Sequence, residues 1–237
     1  MISAKQGGGK TTLANELLKQ LPDATIVKFA QPLYDILKLV KLEILKIDLL
    51  TRFDPESTRS VLYYNTMHQV YLFLEKFGIS ITDAGSNPEI KDQTLLKILK
   101  KYYKSADLLN LSIDKITDAD GVFFQDFAES FGRQLIDKDI WCRIADSYVS
   151  KLKTEHIIFD DLRHKNEFAT FPSALKVRLD CKESLRLERC AKRRDNTNHI
   201  SEIDLDDYAD QKMFDLYFNT EFESTELIAK KIIETVI

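Results

Sequence analysis

A cluster of three consecutive glycines constrains this chain more than any other feature. The 237 residues contain only seven glycines, and three of them stand together at Gly7, Gly8 and Gly9. Leucines recur at helical spacing from Lys10 onward until Pro22 ends the pattern. A flexible loop therefore leads directly into a helix, an arrangement that presents backbone N–H groups to an anion.

The residues around this cluster match the phosphate-loop pattern G-x-x-x-x-G-K-[ST] at every position except the first, where Ala4 replaces glycine. In such a loop the lysine neutralises the β- and γ-phosphates and the hydroxyl binds Mg²⁺. A glycine-rich turn that merely precedes a helix is the alternative. Lys10 is also assigned to catalysis. The residues expected to bind ATP are Gly7, Gly8, Gly9, Lys10, Thr11 and Thr12.

Composition excludes several other classes of protein. Lys plus Arg total 34 against 38 for Asp plus Glu, a net charge of −4, so we expect no nucleic-acid partner. The apolar stretch from Leu33 to Leu50 is interrupted by charges, and we expect no membrane partner. Cys142, Cys181 and Cys190 lack the spacing of a zinc site, which favours reduced core thiols in the cytoplasm.

Strand-like and helical patterns alternate along the chain. Strands are predicted at 24–30, 156–160, 175–180 and 213–219, in addition to a very short one before the glycine loop. Alternation of this kind predicts an α/β fold with about five parallel strands flanked by helices. Long apolar-periodic runs predict a mainly helical insertion at about residues 32–125.

Two carboxylates stand where the strand predicted at 156–160 ends, at Asp160 and Asp161. The carboxyl end of a parallel strand lies at the same sheet edge as the glycine loop, so one of the two is expected on the Mg²⁺ side, together with Thr11. We assign Asp160 to that position. An ordinary solvated strand end is the alternative.

A row of basic residues marks the helix predicted after residue 183. Lys182, Arg186, Arg189 and Arg193 are spaced by four, three and four residues and therefore share one helix face. Such a face is either solvated or holds phosphates during transfer. In the second interpretation Arg189 and Arg193 are catalytic, and the polar stretch at about 189–207 is a lid.

Together these motifs resemble the bacteriophage deoxynucleoside monophosphate kinases, a family of P-loop nucleoside monophosphate kinases. The resemblance covers nearly the whole chain. The segments that carry it are AKQGGGKTT from Ala4, FAQPLYD from Phe29, FGRQLIDKDIW from Phe131, DLRHKNE from Asp161, LDCKESLRLERCAKRR from Leu179 and HISE from His199. The combination of GRQLIDKDIW with DLRHKNE is the most specific part.

The resemblance implies a single P-loop kinase domain over residues 1–237, with ATP and Mg²⁺ as cofactors. The implied activity is ATP-dependent phosphorylation of deoxynucleoside monophosphates, a step of nucleotide biosynthesis, in the cytoplasm (the host cytoplasm if the chain is viral). The partners are small-molecule nucleotides, and a homodimer is left open. The residues implied at the acceptor are Asp161, Arg163, Trp141 and Arg133 around the nucleotide, with Arg52 or Arg59 at its phosphate.

Alternatives to this assignment stay open on the sequence. Trp141 is equally a core anchor at a helix start or a ring that stacks on a base. The chain could be a P-loop kinase of another small acceptor, a nucleoside or a coenzyme precursor, with Asp161 as the base. It could also be a catalytically weak nucleotide-binding regulator.

Overall fold

The computed structural model of the chain describes residues 1–48, 55–80, 87–107, 110–189 and 200–237. The chain divides into two compact units. The core unit comprises Met1–Phe29 and Ala145–Ile237, and the helical unit comprises Ala30–Ile144. The helical insertion predicted at about residues 32–125 therefore lies inside the helical unit, which continues beyond it to Ile144.

Short parallel strands build the sheets of the core unit: β1 (Ile2–Ser3), β2 (Ala24–Val27), β3 (His156–Phe159), β4 (Val177–Asp180) and β5 (Leu216–Asn219). They form a three-stranded sheet in the order β1, β4, β5 and a two-stranded sheet of β2 and β3. The α/β class with parallel pairing is thus confirmed. A single sheet of about five strands is not seen among the described residues.

The brevity of β1 explains the division into two sheets. With two residues before the glycine loop, β1 pairs with β4 along its whole length. On its other side it makes a single isolated bridge, between Ser3 and Leu162, just beyond the end of β3. One bridge holds the two sheets side by side without forming a continuous ladder.

Helices occupy most of the rest of the described chain. In chain order they are α1 (Lys10–Gln20), α2 (Gln31–Asp48), α3 (Pro55–Glu75), α4 (Pro88–Ser105), α5 (Asp118–Asp126), a π-helix (Phe127–Ile136), α6 (Ile140–Val149), α7 (Lys165–Thr170), α8 (Glu183–Arg189), α9 (Ile200–Ile203), α10 (Asp206–Asp210) and α11 (Thr225–Val236). The boundary between the two units falls inside α6. Every helix of the described ranges is too short or too polar to reach across a lipid bilayer.

The core unit is held together by apolar faces of its first and last helices. Leu13 and Leu17 of α1 are buried in one cluster with Ile228 and Ile232 of α11 and with β-strand residues such as Val177. The helix predicted from Lys10 until Pro22 is confirmed as α1, and α11 buries a similar apolar face formed by its isoleucines. Burial of this apolar surface fixes the start of α1, and with it the glycine loop.

The segment Asp118–Ile136 of the helical unit changes its helix type along its length. That segment is α-helical only to Asp126 and then continues as a π-helix. Within it, Gly132 lies so close to Trp141 that a Cβ atom would come within 2.4 Å of the indole ring. The indole Nε1 donates a hydrogen bond to the carbonyl of Ala128 at 3.2 Å. Trp141 therefore anchors the packing of this unit.

A buried ion pair also organises the helical unit. Lys41 Nζ lies 2.9 Å from Asp120 Oδ2, and both side chains are almost fully buried. Tyr102 donates a hydrogen bond of 2.6 Å to the other carboxylate oxygen. Burial alone would raise the pKa of Asp120, but the hydrogen bonds from Tyr102 and Lys41 keep it below its ordinary value. Both charges are thus fully partnered, as their burial requires.

We predict that Gly132→Ala destabilises the chain because the new methyl group would overlap the ring of Trp141. The free energy of unfolding should fall by about 1–3 kcal/mol. Urea unfolding followed by the fluorescence of Trp141, the chain's single tryptophan, measures this. The matched control is Gly121→Ala, because nothing lies within 4 Å of its Cβ position in α5. That variant should be neutral or up to about 1 kcal/mol more stable, and equal losses in both variants would contradict the packing argument.

Candidate active site

The glycine loop between β1 and α1 adopts a backbone that side chains would prevent. Gly7 and Gly9 have φ angles of 80° and 92°, in the left-handed region that glycine tolerates best. A Cβ on Gly8 would come within 2.7 Å of the Cβ of Ala4 and 3.0 Å of the Lys5 carbonyl. The loop thus needs glycine at all three positions, and the side chain of Ala4 is accommodated because Gly8 has none.

Lys10 lies beneath this loop as the first residue of α1. Its side chain is buried, and Nζ donates to the carbonyls of Ala4 at 2.5 Å and Lys5 at 3.3 Å. Burial, together with the neighbouring charges of Arg163 and Arg178, lowers the pKa of Lys10 to about 7, and the nearby carboxylates offset only part of this lowering. The site therefore holds a cation that lacks a full counter-charge.

Thr11 and Asp160 meet at the head of α1. The Thr11 hydroxyl donates a hydrogen bond of 3.0 Å to Asp160 Oδ2, and Lys28 Nζ lies 3.5 Å from the same oxygen. The other oxygen, Oδ1, is buried and has no hydrogen-bond partner among the described residues. A buried carboxylate oxygen without a partner is costly. A hydroxyl and a carboxylate are oxygen donors of the kind that Mg²⁺ prefers, so the pair fits the predicted ion.

The remaining ligands of such an ion would come from outside the protein. Across the described ranges, no group of three or more His, Cys, Asp or Glu side chains is arranged to hold a metal. Mg²⁺ commonly binds through one or two protein oxygens plus phosphate oxygens and water. Thr11 and Asp160 would then be the two protein groups at the ion.

Asp161 has a different environment from Asp160. Its Oδ1 accepts a hydrogen bond of 3.0 Å from the backbone N–H of Phe29, so the carboxylate joins the chain after β3 to the chain after β2. Of the two carboxylates, it is therefore Asp160 that faces Thr11.

A cavity of about 550 Å³ opens over the glycine loop. Besides the loop and the first turn of α1, its lining includes Arg163, Arg189, Thr220 and Ile228, all from the core unit. Its size lies within the range of about 300–1,000 Å³ that is typical of small-molecule sites. Its lining combines polar groups of the loop and the first turn of α1 with the apolar side chains of Leu179 and Ile228, which suits a ligand with a phosphate end.

The basic row of α8 does not act as one face. Arg189 is exposed, lines the cavity and donates to the hydroxyl of Thr220 at 3.3 Å. Arg186 is buried and donates to the backbone carbonyl of Gln6 at 3.2 Å, so it supports the glycine loop from behind. Lys182 is exposed and forms an ion pair with Glu221. Only Arg189 among these three has the position expected of a phosphate clamp.

Other predicted site residues lie elsewhere in the chain. Arg133 and Trp141 belong to the helical unit, where the burial of Trp141 favours the core-anchor interpretation over base stacking. Arg52 and Arg193 lie outside the described residues, as do positions 190–199 of the predicted lid. Arg59 lies within α3, but its side chain is likewise outside what the structure describes.

The cysteines agree only in part with the expectation of core thiols. Cys142 is a buried free thiol, whereas the free thiol Cys181 is half-buried because it follows the exposed end of β4. Cys190 lies outside the described residues.

Two charged residues that contact the glycine loop or its neighbours were not predicted from the sequence. Glu202 accepts a hydrogen bond of 2.7 Å from the backbone N–H of Gln6 and pairs through its other oxygen with Arg163. Arg178 of β4 is buried and donates to Ser3 Oγ at 3.3 Å and to Asp206 at 3.4 Å. An arginine between the apolar residues Val177 and Leu179 was a signal in the sequence. Glu202 had none beyond its place in the HISE segment.

We predict that a polyphosphate ligand takes up a proton when it binds above pH 7. The free chain holds Lys10 at a pKa of about 7, and a bound anion raises that pKa because it favours the charged amine. At about pH 8 the ligand's phosphates are already ionised, since their last pKa is near 6. Affinity should therefore fall as the pH rises above 7, by at most about tenfold per pH unit.

Calorimetric titrations with ATP at about pH 8, in two buffers of different ionisation enthalpy, count the protons taken up. The matched control is Lys10→Arg, whose guanidinium stays charged and should show no uptake. Binding without proton uptake by the unaltered chain would contradict the assigned state of Lys10.

Comparison with models of known protein families gives no match, and comparison with curated proteins gives none either. The arrangement of residues over the glycine loop is therefore the basis for assigning a chemistry. That arrangement combines a glycine loop at the start of a helix, a buried lysine, two arginines that line the cavity and an oxygen pair suited to Mg²⁺. It can hold a chain of phosphates and neutralise their charge.

Proposed function

We propose that the chain is a P-loop kinase that transfers the γ-phosphate of ATP to deoxynucleoside monophosphates. One observation carries the proposal. The glycine loop, Lys10 and Thr11 line one cavity of about 550 Å³ at the head of α1, and Asp160 accepts a hydrogen bond from Thr11 there. Each of these groups serves a polyphosphate with its metal ion, and together they serve phosphoryl transfer.

The donor phosphates would bind along the loop. Backbone N–H groups and the positive end of α1 attract the phosphate oxygens, and Lys10 neutralises charge that spreads over them during transfer. Thr11 and Asp160 would hold Mg²⁺, which supplies charge neutralisation between the β- and γ-phosphates when bound. The buried Asp160 Oδ1, unpartnered among the described residues, supports this role.

The acceptor is proposed to be a phosphate because the site needs no base for it. A nucleoside monophosphate is already an anionic nucleophile, so catalysis consists of alignment, charge neutralisation and exclusion of water. A hydroxyl acceptor would need a carboxylate base, and Asp161 is instead bonded to the backbone of Phe29. Arg163 and Arg189, which line the cavity, are the cations proposed to hold the moving phosphate.

A P-loop core is proposed for the fold on related grounds. β1 leads through the glycine loop into α1, and Asp160 follows the parallel strand β3 at the sheet edge that carries the loop. Phosphate ligands bind at this edge of parallel α/β sheets. The resemblance to bacteriophage deoxynucleoside monophosphate kinases supports the acceptor class, cytoplasmic nucleotide metabolism and a domain spanning residues 1–237.

We predict that Lys10→Ala lowers turnover by about 10²–10³-fold or more, because it removes the charge that stabilises the transferring phosphate. A coupled assay of ADP formation measures turnover, and circular dichroism checks that the variant is folded. The matched control is Lys182→Ala, which removes an exposed lysine paired with Glu221 and should leave turnover unchanged. Near-normal turnover of Lys10→Ala would refute the role assigned to Lys10.

A screen of all common nucleoside and deoxynucleoside monophosphates with Mg-ATP tests the substrate class. We expect diphosphate products from one or more deoxynucleoside monophosphates, detected by chromatography. Phosphorylation of a nucleoside instead would identify a kinase of another small acceptor. ATP binding without transfer to any acceptor would favour a nucleotide-binding regulator.

A further inference from the structure

Glu202 links the glycine loop to Arg163 with its two carboxylate oxygens. Oε2 accepts a hydrogen bond of 2.7 Å from the backbone N–H of Gln6, and Oε1 forms an ion pair with Arg163 Nη1. The Glu202 side chain is only 8% exposed. A carboxylate held from both sides in this way fixes the distance between its two partners.

The segment that carries Glu202 is itself firmly attached to the core unit. Asp206 pairs with Lys5 Nζ at 2.8 Å, and Asp204 accepts from the backbone N–H of Lys165 at 3.0 Å. Asp207 pairs with Lys165 Nζ at 2.7 Å. Lys5 is next to Gln6 in the chain, and Lys165 is close to Arg163, so the segment is attached beside both partners of Glu202. These contacts hold the Glu202 carboxylate in place.

Arg163 keeps donors free for a ligand. Its Nη1 is bonded to Glu202 and lies 3.5 Å from the carbonyl of Ser201. Its Nε and Nη2 have no hydrogen-bond partner in the described part of the chain, and Arg163 lines the cavity over the glycine loop. A guanidinium held at one nitrogen can still present a pair of parallel N–H groups to a phosphate.

We propose that Glu202 is a positioning residue that holds Arg163 against the glycine loop, so that the free edge of the guanidinium meets a phosphate of the bound nucleotide. Without this contact, the long side chain would have to be ordered by the ligand itself, which weakens binding. The inference rests on the proposed function in one respect, since it takes the ligand in the cavity to be a polyphosphate.

A double-mutant cycle tests the link directly. Calorimetry measures the binding of inorganic tripolyphosphate to the full chain and to Glu202→Gln, Arg163→Ala and the double variant. Glutamine keeps the size of the side chain and can still accept from Gln6, but it loses the ion pair. We expect each single change to weaken binding about tenfold, the equivalent of one charge-assisted hydrogen bond. The double variant should bind no more weakly than Arg163→Ala, because Glu202 acts through Arg163.

Additive losses, or unchanged affinity in Glu202→Gln, would overturn the proposal. Conservative rescue separates charge from shape: Glu202→Asp should recover part of the affinity that glutamine loses, although glutamine is closer in shape. The reverse order would show a purely structural role and would also overturn the proposal. The matched control is Asp210→Asn, an exposed acid at the end of α10, which should bind normally.

Two further outcomes complete the test. If Glu202→Gln fails to fold, Arg163→Lys replaces it: lysine keeps the charge but not the fork, so about tenfold weaker binding is expected and full affinity would overturn the proposal. Tripolyphosphate that does not bind to the unaltered chain would overturn it as well. The chain could show the expected coupling between Glu202 and Arg163 in tripolyphosphate binding and yet phosphorylate no nucleotide. That result would refute the proposed function and support the positioning role of Glu202.

Discussion

The left-handed backbone of the glycine loop is the constraint on which the site depends. Gly7 and Gly9 turn the chain at positive φ, and Gly8 abuts the side chain of Ala4. This turn brings the carbonyl of Ala4 to the amine of Lys10. A side chain at Gly7 or Gly9 would cost roughly 1–2 kcal/mol in the left-handed region and would favour a different turn. The conformation of the loop is therefore set by its own glycines, and such preorganisation is the condition for effective electrostatic stabilisation of the proposed phosphate ligand.

Local charge, rather than net charge, determines what this site can bind. The chain carries a net charge of −4, yet the cations of Lys10, Arg163 and Arg178 lie close enough together that the arginines lower the pKa of Lys10. Glu202 pairs with Arg163 and Asp206 with Arg178. The carboxylates of Asp161 and Asp160 partly offset the lowered pKa of Lys10. This local concentration of cations would favour the polyphosphate proposed for the cavity, despite the negative net charge of the chain.

The parts of this structure that the sequence predicts are those governed by local spacing. The helical spacing of leucines indicates α1, the helical spacing of isoleucines indicates α11, and the three glycines followed by Lys10 indicate the loop. The sequence cannot say which of Asp160 and Asp161 meets Thr11, because adjacent residues of an extended chain point in opposite directions and either register was open. Arg186 shares a helical face with Arg189, yet it is buried beneath Gln6. Such differences arise from long-range packing, as does the contact of Gln6 with Glu202, 196 residues away.

The buried amine of Lys10 connects stability with function in this chain. Lowering its pKa from 10.5 to about 7 corresponds to a penalty on the charged form on the order of 5 kcal/mol. A core lysine of this kind weakens the unliganded fold, and natural sequences accept such losses mainly at functional sites. A phosphate placed against the amine would remove the penalty, because it supplies the counter-charge that the two backbone carbonyls cannot. Part of the affinity for a polyphosphate would therefore come from removing the penalty on the charged amine that the free protein already carries. A neutral amine carries no such penalty, so this part of the affinity is lost when Lys10 is deprotonated.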